Sequence, residues 1–274
     1  MLWKISEFVI LLGLLTTFLI TFEAGFRLGR SHLDRNHDPG KSHISSLQGA
    51  ILGLLALLLG FTISMAVDRF NLRKALVLEE ANAIGTTYLR TQFLPPLQAK
   101  EAADLLAAYV AARLDFSNAG IDDSALAAAN TAASNLESQL WVLAVAAAAQ
   151  DPRSVPIGLF IQSLNDVIDN HEKRQAAVNN HVPETVIFLL IGFSVVALGF
   201  IGYGCGLSKR RQWIANTTFV LLITLVLTAI LDIDRPSRGF IRVNQGSLLR
   251  LKTSLGQAAP NNLKEKPIIR ALDR

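Results

Sequence analysis

Residues 59–74, LGFTISMAVDRFNLRK, constrain this chain more than any other stretch. They join an uncharged run to a charged one without a break. From Gly49 to Val67 nothing is ionisable. At 1.5 Å per residue such a run measures close to the hydrocarbon core of a bilayer, about 30 Å. Charges begin at Asp68 and Arg69, yet no proline interrupts the pattern before Leu94-Pro95-Pro96. One helix is therefore expected to leave the lipid and project into water, and to end where proline removes an amide donor and turns its predecessor away from helix.

The composition agrees with a membrane protein that carries a water-exposed part. Of 274 residues, 51% are hydrophobic and 18% charged, with a mean hydropathy of +0.36. A soluble domain carries about 25% charge. The deficit lies in four runs, residues 8–26, 44–67, 186–207 and 213–231, the first broken only by Glu23. The first run reads as a retained span, because Phe22 stands where a cleaved signal needs a small residue before Ala24. Trp213 is placed as an interfacial anchor, and the glycines 192, 199, 202, 204 and 206 thin the far half of the third run.

Small or polar residues at Gly49, Gly53, Ala56, Gly60 and Ser64 share one face of the second run. Two readings fit them: close contact between helices, or a face that lines a water-filled path in an oligomer. Between the second and third runs lies an insertion of helical pattern. Its first helix continues to Phe93, with Leu76, Glu79, Glu80, Asn82, Ala83, Thr86 and Tyr88 dividing into a polar and a packed face. The carboxylates Glu79 and Glu80 are expected on the solvated side. A helix over 98–115 follows, then one capped by Asp122 or Asp123 that buries Leu136, Leu140 and Leu143. The last runs over 155–180, with Ile157, Phe160, Ile161, Leu164, Ile168 and His171 on one stripe.

The expected fold class is thus all-α: four transmembrane helices with a helical extramembrane insertion. The divisions are 1–67, 68–181, 182–233 and 234–274, the last a polar tail carrying leucines at 248, 249 and 251. Counting crossings puts the N-terminus, the insertion and the tail on one side of the membrane. Asp68 and Arg69 then reach the same face as Asp232, Asp234 and Arg235, where an interfacial charge cluster is expected. Among the short loops, Arg27, Arg30, Arg35, Lys41, Lys209, Arg210 and Arg211 lie on the other side, against Lys4 alone at the N-terminus. The positive-inside rule therefore leans towards an extracytoplasmic insertion in a multi-pass cell membrane.

Several functions lack their residues. There is no phosphate-binding loop between strand and helix and no nucleophile motif, so no enzyme and no cofactor are expected. His32, His37 and His43 are spaced as a solvated loop, with Asn36-His37-Asp38-Pro39-Gly40 as its turn, and His171 lacks a partner one helical turn away. No metal site is expected from them. Cys205 is the only cysteine, which excludes an internal disulfide. The pI near 9.4 comes from basic residues flanking the membrane runs, without the aromatic interleaving of a nucleic-acid surface.

The motif Leu59-Gly60-Phe61, followed by Ala66, Asp68, Arg69 and Phe70, resembles the neck and helix exit of bestrophins, which carry L-G-F and then R-W-W. Asp234-Arg235-Pro236-Ser237-Arg238-Gly239, with Leu248, Leu249 and Leu251 after it, is similar to that family's acidic-x-P-x-G element. The four-helix plan with an insertion after the second helix agrees, and the bacterial bestrophin-like group is the nearest fit. The resemblance implies a pentameric channel for small ions, anions favoured, with Phe61 at the neck and Leu57 and Gly53 one and two turns before it. Ser64 completes the pore candidates. Asn71 and Thr62 depart from the family pattern, and Gly53 would not narrow a pore. The competing function is a membrane-anchored sensor or scaffold whose insertion binds a partner.

Overall fold

A computed structural model describes residues 6–35, 41–120, 122–208, 212–235 and 241–258. The turn at 36–40, the basic triplet at 209–211 and residues 236–240 of the tail motif lie outside the described residues. So does Lys4.

The described residues form helices throughout: α1 (Glu7–Arg35), α2 (Lys41–Arg90), α3 (Pro96–Asn118), α4 (Asp123–Gln150), α5 (Val155–Asn179), α6 (Glu184–Leu207), α7 (Trp213–Ile233) and α8 (Gly246–Ala258). α2 is one element of 50 residues. A 3-10 turn at Thr91–Phe93 ends it, and Leu94 is extended, as the following prolines require. Pro96 then opens α3, where a missing N–H costs nothing. Between α3 and α4 the chain reverses at Gly120, whose φ of +60° favours a residue without a Cβ. Asp122 is the cap of α4: its Oδ1 accepts from the N–H of Ser124 at 2.9 Å and of Ala125 at 3.1 Å. Those bonds and the Ser124 hydroxyl hold its carboxyl below the usual range.

The chain divides into two compact units, Met1–Asn71 with Asn180–Arg242 and Leu72–Asn179 with Val243–Arg274. The first contains the four uncharged runs, on α1, the first part of α2, α6 and α7. Among the described residues, four helical segments are long and apolar enough to cross a membrane. Leu14, Phe18, Leu55, Leu190, Leu198, Val220 and Leu227 build the unit's core. α1 and α6 cross at glycines. A Cβ on Gly25 would strike the backbone of Gly199, and one on Gly29 that of Tyr203. Cβ atoms on Gly202 and Gly206 would strike the backbone at Phe22 and Phe26. Each helix thus offers a glycine pair four residues apart, the spacing that lets two backbones touch in lipid. Buried Ser194 and Thr224 donate to carbonyls of their own helices, both at 2.8 Å, so neither hydroxyl is left unpaired in an apolar core.

In the second unit the rest of α2 packs with α3, α4 and α5 around Ile84, Leu106, Leu140, Phe160 and Leu164. The stripe expected on α5 is there, with Ile157, Phe160, Leu164 and His171 buried. The tail is more than a polar extension. α8 sets Leu248, Leu251 and Leu255 at intervals of three and four residues against the same core, and Leu251 approaches Gly85 of α2.

Candidate functional site

α2 has a packed side and a bare side where it runs through the first unit. Leu55, Thr62 and Ala66 are buried, and the Thr62 hydroxyl donates to the Leu58 carbonyl at 2.8 Å. Gly53, Leu57, Phe61 and Ser64 all lie on the exposed side. Leu57 is 54% and Phe61 64% exposed, more than a packed position would allow. A Cβ on Gly49, Gly53 or Gly60 would meet nothing within 4 Å. The four pore candidates therefore share one face, and among the described residues no helix covers it. Gly25 and Gly29 of α1 and Gly202 and Gly206 of α6 are used up against each other, whereas Gly49, Gly53 and Gly60 of α2 point outward. Gln48, one turn before Gly53, ties the start of α2 to α6 by donating to the Phe200 carbonyl at 2.7 Å.

The interfacial candidates divide. Asp232, Asp234 and Arg235 are buried together at the end of α7. Asp234 Oδ2 accepts from the N–H of Val182 at 2.8 Å, where the chain enters α6. His181 Nδ1 lies 3.0 Å from the Asp234 carbonyl and 3.5 Å from its carboxylate. Arg235 reaches Glu7 at the start of α1 at 3.3 Å, and Asp232 accepts from the N–H of Ile241 at 3.1 Å. The cluster thus draws α1, α6 and α7 to one point. Asp68 is exposed, and Arg69 turns back along its own helix to the Met65 carbonyl at 3.3 Å. Glu7 and His181 were not singled out in the sequence. Their only signal is position, since both stand at the ends of membrane runs on the crossing side shared with Asp234.

The second unit holds a charge network that the sequence reading missed. Glu79 is exposed as expected, but Glu80 is fully buried, which corrects its placement on the solvated side. Neighbours on a helix point about 100° apart, so one carboxylate faces water and the other the core. Glu80 accepts from Arg113 Nε at 2.7 Å through one oxygen and from Arg174 through the other. Tyr109 lies between two carboxylates, its hydroxyl 3.0 Å from Glu137 and 3.4 Å from Glu80. His171 Nδ1 sits 2.8 Å from Glu137. Arg113 also stacks over Phe116, 5.1 Å from the ring centre, while its Nη1 and Nη2 make no hydrogen bond among the described residues. Burial, then the charge of Glu80, pushes the Tyr109 phenol far up. Burial pulls the Arg174 guanidinium down, although Glu80 opposes it. Two carboxylates and two guanidiniums balance, and four helices meet on them. This is a structural joint: its charged side chains are buried where the four helices meet.

Of the histidines considered for metal, His32 lies against Tyr203 with ring centres 6.2 Å apart, and His37 lies outside the described residues. Cys205 Sγ faces the Asn216 side chain at 3.9 Å. Comparison with known proteins adds one match. The family model of the Bestrophin-like domain matches residues 10–248. No curated protein and no solved structure matches the chain. The matched region takes in the four apolar runs, the bare face of α2, the insertion and the start of α8, and on that extent the chain belongs to the bestrophin-like family.

Proposed function

We propose that this membrane protein is a homo-oligomeric ion channel whose copies turn the bare face of α2 towards a common axis. The single observation that carries the reading is the outward face of Gly49, Gly53, Gly60 and Ser64 on a membrane helix. Glycine weakens a helix by about 1 kcal/mol relative to alanine and offers lipid tails little to pack against. A row of such residues makes sense where other backbones, or a column of water, come close. Leu57 and Phe61 on that face supply an apolar constriction, which passes ions only when it wets. Gly53 and Ser64 stand on either side of it as wider positions. Pentameric assembly and a preference for anions follow from the family resemblance. Conduction needs a path and not a nucleophile, and this reading assigns the chain no catalysis.

The test is ion flux from purified protein in liposomes, with chloride and potassium gradients imposed separately. Phe61→Ala and Leu57→Ala are each expected to raise flux over the unsubstituted protein, with chloride favoured. Intact oligomers that pass no ion in any variant would refute the channel and leave the membrane-anchored scaffold. We also place the protein in the cell membrane with the insertion on the extracytoplasmic side, following the short-loop charges. A thiol reagent that cannot cross membranes is then expected to label Asp169→Cys in intact cells. Labelling only after lysis would reverse the orientation.

A further inference from the structure

The water-exposed unit treats its helices unequally. The outer face of α3 carries Lys100, Glu101, Asp104 and Asp115, and that of α5 carries Asp166, Asp169, Glu172 and Lys173. These are ordinary wetted surfaces. On α4, Glu137 is buried, and the exposed side carries no ionisable residue from Ser124 to Gln150. At 1.5 Å per residue that is about 40 Å of uncharged helix facing outward. Trp141, Val142 and Val145 stand on it at 40%, 70% and 55% exposure. The extramembrane part of α2 behaves the same way. Its exposed stripe of Ala75, Leu78, Asn82, Thr86, Leu89 and Phe93 is uncharged, with Lys74, Glu79 and the half-buried Arg90 at its edges.

The two stripes match. On α4 the exposed positions Ala132, Asn135, Gln139, Val142, Ala146 and Ala149 recur at alternating intervals of three and four, the rhythm of helices that pack along their length. Three of those six positions on α4, Ala132, Ala146 and Ala149, are alanine. Those on α2 include the large side chains Leu78, Leu89 and Phe93, so one stripe offers knobs and the other shallow holes. Each stripe also has an uncharged polar middle, Asn82 and Thr86 on α2 and Asn135 and Gln139 on α4, with apolar residues on both sides. Both stripes look away from the one core their helices share, so they cannot cover each other within a chain. They can do so between chains. Two different complementary faces on one subunit are what a head-to-tail ring requires. A lipid surface fits α4 poorly, because no Lys or Arg flanks its apolar side to meet headgroups.

We infer that the outer face of α4 docks on the α2 stripe of a second copy of this chain, outside the membrane, as the subunit contact of the oligomer. The inference rests on the homo-oligomer in the proposed function. Short connections make successive helices antiparallel, so α2 and α4 run the same way. Matching the polar middles then sets Leu78 near Ala132 and Leu89 near Val142 of the neighbouring copy.

Cysteine cross-linking tests this directly in a Cys205→Ser background. Leu89→Cys with Val142→Cys, treated in membranes with a short bis-maleimide, is expected to give a ladder at multiples of 29.8 kDa. Leu89→Cys with Lys173→Cys, on the charged face of α5, is expected to stay at the mass of one chain. In a second background, Leu78→Cys with Ala132→Cys should also form the ladder. Val142→Lys should abolish that ladder, and adding Leu89→Glu should restore it. Absence of the first ladder, an equal ladder from the control pair, or a product at any other mass would overturn the interface. A ladder from protein that passes no ions would sink the channel and leave this contact standing. Flux without a ladder would do the reverse.

Discussion

Glu80 decides how much of the extramembrane unit depends on charge. Its two oxygens are taken by Arg113 and Arg174, and all three side chains are buried. Removing the carboxylate leaves two buried guanidiniums without the direct partner they share. Loss of one partner from a buried ion pair costs about 3–5 kcal/mol. Glu80→Ala is expected to lower the stability of the detergent-solubilised protein by about that amount in denaturant titrations. Glu79→Ala, one residue away but exposed, is expected to leave the midpoint where it was. Equal loss from both would mean that the buried ion network of Glu80 is not what is at stake. Tyr109 adds a pH dependence. Its phenol is raised above an ordinary value of 10.0, so the folded state favours the neutral form. That contribution is fully present below about pH 10 and is lost as pH rises through the folded value. The protein should destabilise on going above about pH 10, and Tyr109→Phe should flatten that alkaline fall. A Phe variant that falls as steeply as the parent would remove Tyr109 from the explanation.

At the scale of the element, glycine has opposite meanings on different helices. On α1 and α6 it permits backbones to touch, since a Cβ at Gly25 or Gly202 has no room. Gly202→Leu is expected to destabilise the membrane unit by about 1–3 kcal/mol or more, the range for overpacking, read as a lower melting temperature in detergent. On the uncharged run of α2, Gly49, Gly53 and Gly60 face open space, so Gly53→Ala should leave melting unchanged and alter only oligomerisation or flux. A drop in melting at Gly53 matching that at Gly202 would contradict this division. Elements were also what the sequence disclosed best. The passage of α2 from uncharged to charged without a break, its end at the prolines, the cap at Asp122 and the α5 stripe all follow from local chemistry. Which sector of a helix faces the core is a different matter. Glu80 could be placed only by its partners, which lie 33 and 94 residues away in the chain. The Asp234–Val182 bond spans 52 residues for the same reason. α8 was partly legible in the leucines at 248 and 251, but the stripe closes only with Leu255.

For the whole molecule, two kinds of uncharged surface stand exposed. Within the membrane run, the face of Gly53, Leu57, Phe61 and Ser64 is bare. In the water-exposed unit, α2 and α4 present uncharged stripes while α3 and α5 are charged. The membrane plan could be read from hydropathy alone, because a bilayer imposes a length and forbids charge over it. Assembly could not, because a single sequence does not distinguish a residue that meets lipid from one that meets its own copy. The helical course of α4 adds a geometric constraint. Each residue advances the helical phase by about 100°, so the azimuth of Ala132 is locked to that of Val142. One residue inserted near Ser138 would rotate the two halves of the outer stripe apart by about 100°, while seven would bring them back to within about 20°. Length changes in this helix are thus permitted in whole heptads, a bookkeeping of angle more than of distance.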